Sequence, residues 1–258
     1  MADPGSPAAK LRRRDLFSGL DLGKSADYSV LATVERFPLA APVAKRKWRY
    51  ELVWLAAWEL GTRYTAAEPG QPSVIGDLKG LFDRPALAGT TLAVDYTGVG
   101  LPVYEQIAAA QVRANRRPIL ITGGHKVTTP EENRDGTYHV PKVEIVGIMV
   151  VLLEAGLLKW VASGQKGALR HVERLERELG KFREFVTRKK NVTFEAESGA
   201  HDDFVLALGL ALWLAEHLYG GDPSGIAVGD PSENAAAGSV LETMPAGASP
   251  GGSLLRLP

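Results

Sequence analysis

The chain has 258 residues, and its 30 basic and 30 acidic side chains cancel, so net charge points to no class of partner. It contains no cysteine, which excludes disulfides and thiolate metal sites. Residues 1–14 lack the apolar stretch of a secretory signal. The most apolar runs, 145–153 and 204–215, fall short of the ~20 residues of a membrane span, so a soluble, intracellular protein is expected.

In chain order, residues 1–14 read as a flexible arm. Three strands follow, over 16–22, 28–36 and 48–58, and the short turn between the first two favours antiparallel pairing. Between them, Gly23-Lys24-Ser25 ends like a phosphate-binding loop. That motif needs a glycine where Ser18 stands and a helix where residues 28–34 are β-branched and aromatic. The segment therefore reads as strand, turn, strand, with Asp21 near the end of the first strand. A helix is expected over 73–82, a short buried strand over 90–95 ending in Asp95, and a helix over 102–114 with proline in its first turn. Residues 118–122 form an apolar strand closed by Gly123-Gly124.

A polar excursion, 125–140, carries Asp135-Gly136, a hairpin signal. Helices are expected over 141–155 and 165–179, a strand over 192–196, and a strongly apolar last helix over 202–219. From residue 220 to the end the chain is rich in Gly, Pro, Ala and Ser and reads as a disordered tail. The folded domain is thus 15–219. Its order, three antiparallel strands and then alternating strands and helices, fits an α/β mixed sheet of the RNase H-like type, flanked by helices.

Two basic clusters interrupt the balanced charge. Residues 166–190 carry nine Lys/Arg against four Glu, and Lys45-Arg46-Lys47-Trp48-Arg49 is the other. Such runs are solvated faces or phosphate-binding surfaces.

Four carboxylates stand out by position: Asp21, Asp95, Asp202 and Asp203. Singly, each has a structural role available, as a turn former, an Asx-turn or a helix N-cap. Together, three separate segments each deliver an acid at the edge of an apolar element. Clustered carboxylates repel one another unless a cation neutralises them. Hard oxygen donors without thiolates suit Mg²⁺ or Mn²⁺. Two such ions about 3.5–4 Å apart can activate water and stabilise a leaving oxygen on a phosphodiester. His125 and His201 stand beside no metal-ligand spacing and read as capping or surface residues.

The stretches "GLDLGKSADYSVLATV", "LAVDYTGVGLPVYEQI", "PILITGG", "VPKVEIVGIMVVLLEAGLLK" and "GAHDDFVLALGLALW" resemble, in this order, the C-terminal nuclease domain of phage terminase large subunits. The resemblance covers residues 15–219 and is most specific at 95–100 and 201–203. It implies a metal-dependent endonuclease that hydrolyses double-stranded DNA during viral genome packaging, with two Mg²⁺ or Mn²⁺ ions. Asp21, Asp95, Asp202 and Asp203 would be both metal ligands and catalytic residues, with Asp21 shared by the two ions and Asp27 a supporting acid.

Lys142, after Pro141, matches a Pro-Lys that opens a helix in that family, and the 125–140 segment matches one near its DNA groove. Lys142, Lys126 and Arg134 are thereby candidate DNA-binding residues. The resemblance further implies a cytoplasmic protein, no membrane, and other packaging proteins as partners: portal, small terminase subunit and a separate ATPase. The chain is expected to lack the ATPase motor of a full terminase subunit.

Two alternatives stay open. One is a nuclease resembling Holliday-junction resolvases. The other, of a different class, is an actin- or chaperone-type ATP-binding protein, whose first phosphate loop "GLDLGKS" also resembles. Its two lobes need more than the folded length here.

Overall fold

A computed structural model of the protein describes residues 15–23, 27–68, 70–98, 100–160, 166–186, 192–196, 202–217 and 253–256. Strand β1 (Leu16–Asp21) is buried along its whole length and lies in the middle of the main sheet. It pairs antiparallel with β2 (Val30–Val43), which pairs antiparallel with β3 (Arg46–Ala57). On its other side β1 pairs parallel with β4 (Thr91–Asp95), followed by β5 (Asn115–Thr122) and β6 (Tyr138–Pro141), also parallel. This is an RNase H-like mixed sheet, antiparallel on one half and parallel on the other. A two-residue β7 (Leu158–Lys159) and β10 (Ser253–Arg256) pair with β3. A separate antiparallel pair, β8 (Phe182–Val186) and β9 (Val192–Ala196), forms a second, small sheet.

Helices α1 (Val74–Phe82) and α2 (Gly100–Ala109) cover one face of the main sheet. Helices α3 (Lys142–Glu154), α4 (Lys166–Lys181) and α5 (Asp203–His217) cover the other. The sheet's two-residue period sorts the central strands between these layers. Leu16 and Leu20 of β1 and Leu92 and Val94 of β4 pack under α1 and α2, whereas Phe17 and Ala93 face α3 and α5. Helix α5 is apolar all round and buried from Asp203 to Ala215, as expected of a helix held inside the fold. Among the described residues no helix is long and apolar enough to cross a membrane.

Several elements depart from the sequence expectations. The β2–β3 ribbon runs past Pro38 to a two-residue turn at Ala44 and Lys45, both with positive φ, and a bulge accommodates the prolines. The expected hairpin at Asp135-Gly136 is a turn without a ladder. A single antiparallel bridge, Thr128 to His139, closes the excursion, and the chain leaves it as β6, parallel to β5. The helix expected over 102–114 starts at Gly100 and stops at Ala109, and Asn115–Thr122 is all strand. Of the segment expected to be a disordered tail, 253–256 are described, and they form β10. The flexible arm lies outside the described residues.

Candidate metal centre

The acids meet because of register. In the β1–β4 ladder Gly19 is level with Ala93 and Leu20 with Val94, so Asp21 and Asp95 stand one step further on, side by side. Both lie two residues beyond positions that face α5, so both side chains fall on that face. Neighbouring strands are about 4.8 Å apart, which brings the two carboxyl groups together. Helix α5 supplies the other pair. It presses on β1 at Gly19, where an added Cβ would lie 2.1 Å from the Ala207 carbonyl oxygen and 2.7 Å from the Ala211 nitrogen. Asp203 is one helical turn before Ala207, and Asp21 is two strand residues beyond Gly19. The N-terminus of α5 therefore abuts the end of β1. The Asp202 carbonyl accepts the first α5 bond, from the Leu206 N–H at 2.9 Å, which makes Asp202 the N-cap residue.

Asp21, Asp95 and Asp203 are buried, at 6%, 7% and 5% exposure. Burial, reinforced by the charges of Asp95, Asp203 and Asp202, pushes the Asp21 carboxyl well above the usual carboxylate range. Asp95 is also raised by burial, opposed by hydrogen bonds from Thr97 and Asp21. Burial and mutual repulsion thus favour the protonated form of both carboxyl groups, Asp21 the more strongly.

Further partners of the acids include backbone groups and one lysine. Asp95 Oδ1 accepts the Thr97 N–H at 2.7 Å, so the Asx-turn and the acid site coexist in one residue. Asp203 Oδ2 accepts the Tyr28 N–H at 3.1 Å. Lys142 Nζ donates to Asp202 Oδ2, with the side chains 30% and 21% exposed. Among the described residues no three His, Asp or Glu side chains stand in a ready-made arrangement around one ion. The donor set fits a hard divalent ion: four carboxylates, crowded and largely buried.

Of the expected DNA-binding residues, the structure brings Lys142 to the acids. Lys126 and Arg134 are exposed on the 125–140 loop, and Lys126 pairs with Glu132 at 3.4 Å. That loop is internally braced, with Asp135 accepting from Thr137 and His139. Residues 24–26, in the turn that resembled a phosphate loop, and His201 lie outside the described residues, and the chain after Gly23 goes on to strand β2, not a helix. The basic cluster at 45–49 is partly committed elsewhere: Arg46 pairs with Glu216, and Arg49 pairs with Glu51 and lies over the Phe37 ring.

Three supporting residues escaped the sequence reading. Glu178 of α4 accepts from the Phe204 N–H at 2.9 Å and the Val205 N–H at 3.4 Å, capping the first turn of α5. Arg174 pairs with Glu178 and covers the rings of Tyr28 and Phe204. Their spacing of four residues was a visible helical pair, but it reads like any solvated one. Tyr64 lies on a loop without periodicity and donates its hydroxyl to the Gly23 carbonyl. It walls a cleft of about 750 Å³ with Trp58, Val103 and Gln106.

By sequence, no known protein family and no curated protein matches the chain. In structure it is similar to the large terminase nuclease of thermophilic phage G20c with bound magnesium, at 20% identity and a TM-score of 0.49, over 77% of this chain and 80% of that one. It is also similar to the large terminase nuclease domain of Thermus phage P74-26, at 18% identity and a TM-score of 0.47, over 79% of this chain and 80% of that one. Both are of the kind that the sequence motifs resemble.

Proposed function

We propose that the protein is a metal-dependent endonuclease of the terminase large-subunit kind, hydrolysing phosphodiesters of double-stranded DNA during viral genome packaging. The observation that carries this reading is the convergence of Asp21, Asp95, Asp202 and Asp203 from two parallel strands and one helix terminus. A site meant only for stability would not bury acids that raise one another's proton affinity.

Asp21, between Asp95 on the neighbouring strand and the acids of α5, would be shared by two Mg²⁺ or Mn²⁺ ions. Asp95 and one or both of Asp202 and Asp203 would complete their ligands. When bound, such ions activate water and offset charge on the leaving oxygen. The chain's own residues hold and orient the carboxylates: Thr97 fixes Asp95, Tyr28 fixes Asp203, and Glu178 anchors the start of α5. Lys142, Lys126 and Arg134 would contact DNA phosphates. The setting would be the host cytoplasm, with portal, small terminase subunit and a separate ATPase as partners.

The test is plasmid cleavage by wild type and Asp95→Ala in Mg²⁺, Mn²⁺ or EDTA. Nicking and linearisation should require the metal and be lost in the variant. Robust cleavage in EDTA would remove this reading.

A further inference from the structure

Lys142 occupies an unusual place. It is the first residue of α3, where the helix dipole disfavours a cation, and its N-cap, Pro141, offers no side-chain bond. Helix electrostatics therefore do not account for it. What accounts for it is Asp202, the N-cap residue of the neighbouring α5, to which its ammonium donates. The meeting is built into the packing of the two helices. An added Cβ on Gly209 of α5 would lie 2.5 Å from Ile145 Cγ2 of α3, so the helices touch at close range. Ile145 is one turn from Lys142, and Gly209 is two turns from Asp202. Both partners are part-exposed, at 30% and 21%, so a solvated ion can reach Asp202 and the lysine can leave it.

We propose that Lys142 is the built-in counter-cation of the acid site: it holds Asp202 in the metal-free protein, yields that carboxylate when a divalent cation binds, and is thereby released toward the substrate phosphate. The inference rests on the nuclease reading. It links metal loading to phosphate capture, because the ammonium's charge, no longer offset by Asp202, becomes available to a phosphate oxygen. Lys142 is a positioning residue in the first state and a substrate contact in the second.

The test compares Mn²⁺ binding without DNA, by titration calorimetry, for wild type, Lys142→Met, Lys142→Gln and Lys142→Arg. A part-exposed ion pair competes modestly, so Lys142→Met and Lys142→Gln should bind Mn²⁺ about fivefold more tightly, and Lys142→Arg should stay near wild type. The two neutral variants should also have lower thermal midpoints in EDTA and larger upward shifts on adding Mn²⁺. Equal or weaker Mn²⁺ binding by both neutral variants would overturn the role of Lys142 and leave the nuclease reading standing. No Mn²⁺ binding by wild type or any variant would overturn both.

Discussion

Asp21 carries the strongest tension between stability and activity. Its carboxyl is raised above its ordinary value by burial and by Asp95, Asp203 and Asp202. A raised folded pKa means that the folded state holds its proton more tightly than the unfolded state. The resulting penalty is absent below the unfolded pKa and grows as pH rises toward the folded one. Asp21→Asn removes the charge, and its amide can donate to Asp95. In EDTA at pH 7 the variant should be more stable than wild type by on the order of 1 kcal/mol, and the gain should vanish near pH 4. Its nicking of plasmid in Mn²⁺ should be almost abolished. Wild-type-like nicking would reduce Asp21 to a turn residue. Glu178 obeys the same sign. Burial pushes it from 4.5 up to about 7, against the pull of Arg174 and the Phe204 N–H. Wild type should therefore lose stability between about pH 4.5 and 7 as this carboxyl ionises. Glu178→Gln lacks that loss, so from pH 5 to pH 8 it should gain roughly 2 kcal/mol on wild type, read from paired unfolding curves. A constant difference across that range would show that Glu178 does not titrate there.

At the scale of elements, the contact of α5 with β1 sets the site. Gly19 has no room for a methyl group, because Ala207 and Ala211 backbone atoms fill the space. Gly19→Ala should cost about 3 kcal/mol or more and should also weaken Mn²⁺ binding, since shifting α5 separates Asp203 from Asp21. Gly80→Ala, on the exposed side of α1 with nothing near its Cβ, should be neutral or stabilising by about 0.5–1 kcal/mol. Similar midpoints for the two variants would contradict the close β1–α5 approach. The glycine was visible in the sequence, but its reason was not, because the helix that needs it lies almost two hundred residues on. The central elements were legible, since β1, β4 and α5 are apolar, well bounded and each end or begin in an acid. Strand β6 was not. Tyr138–Pro141 has no alternation, and Asp135-Gly136 advertises a hairpin that the parallel pairing with β5 overrides. Contacts made through backbone N–H groups, such as Tyr28 to Asp203 and Phe204 to Glu178, leave no trace in residue type.

For the whole molecule, zero net charge means that the proposed attraction to DNA would have to come from a few local cations. The acid site itself repels phosphate until it is neutralised. Within the basic stretch 166–190, Arg174 is engaged by Glu178, Tyr28 and Phe204. Lys126 and Arg134, exposed on the braced 125–140 loop, are candidates that a salt series can test. The Lys126–Glu132 pair does not withdraw Lys126, since exposed pairs at 3.4 Å are worth little. Each phosphate contact made by these side chains should add about 0.9 to the slope of log affinity against log salt. Lys126→Ala with Arg134→Ala should therefore lower the magnitude of that slope by about 2. The loss of affinity should be the same for unrelated duplex sequences, because phosphate contacts carry no base information. The measurement is fluorescence anisotropy of two labelled duplexes across a salt series, in Ca²⁺ so that the acids are neutralised while cleavage is slow. An unchanged slope would move the DNA path off this loop, and a loss confined to one duplex would mean that the two side chains read bases.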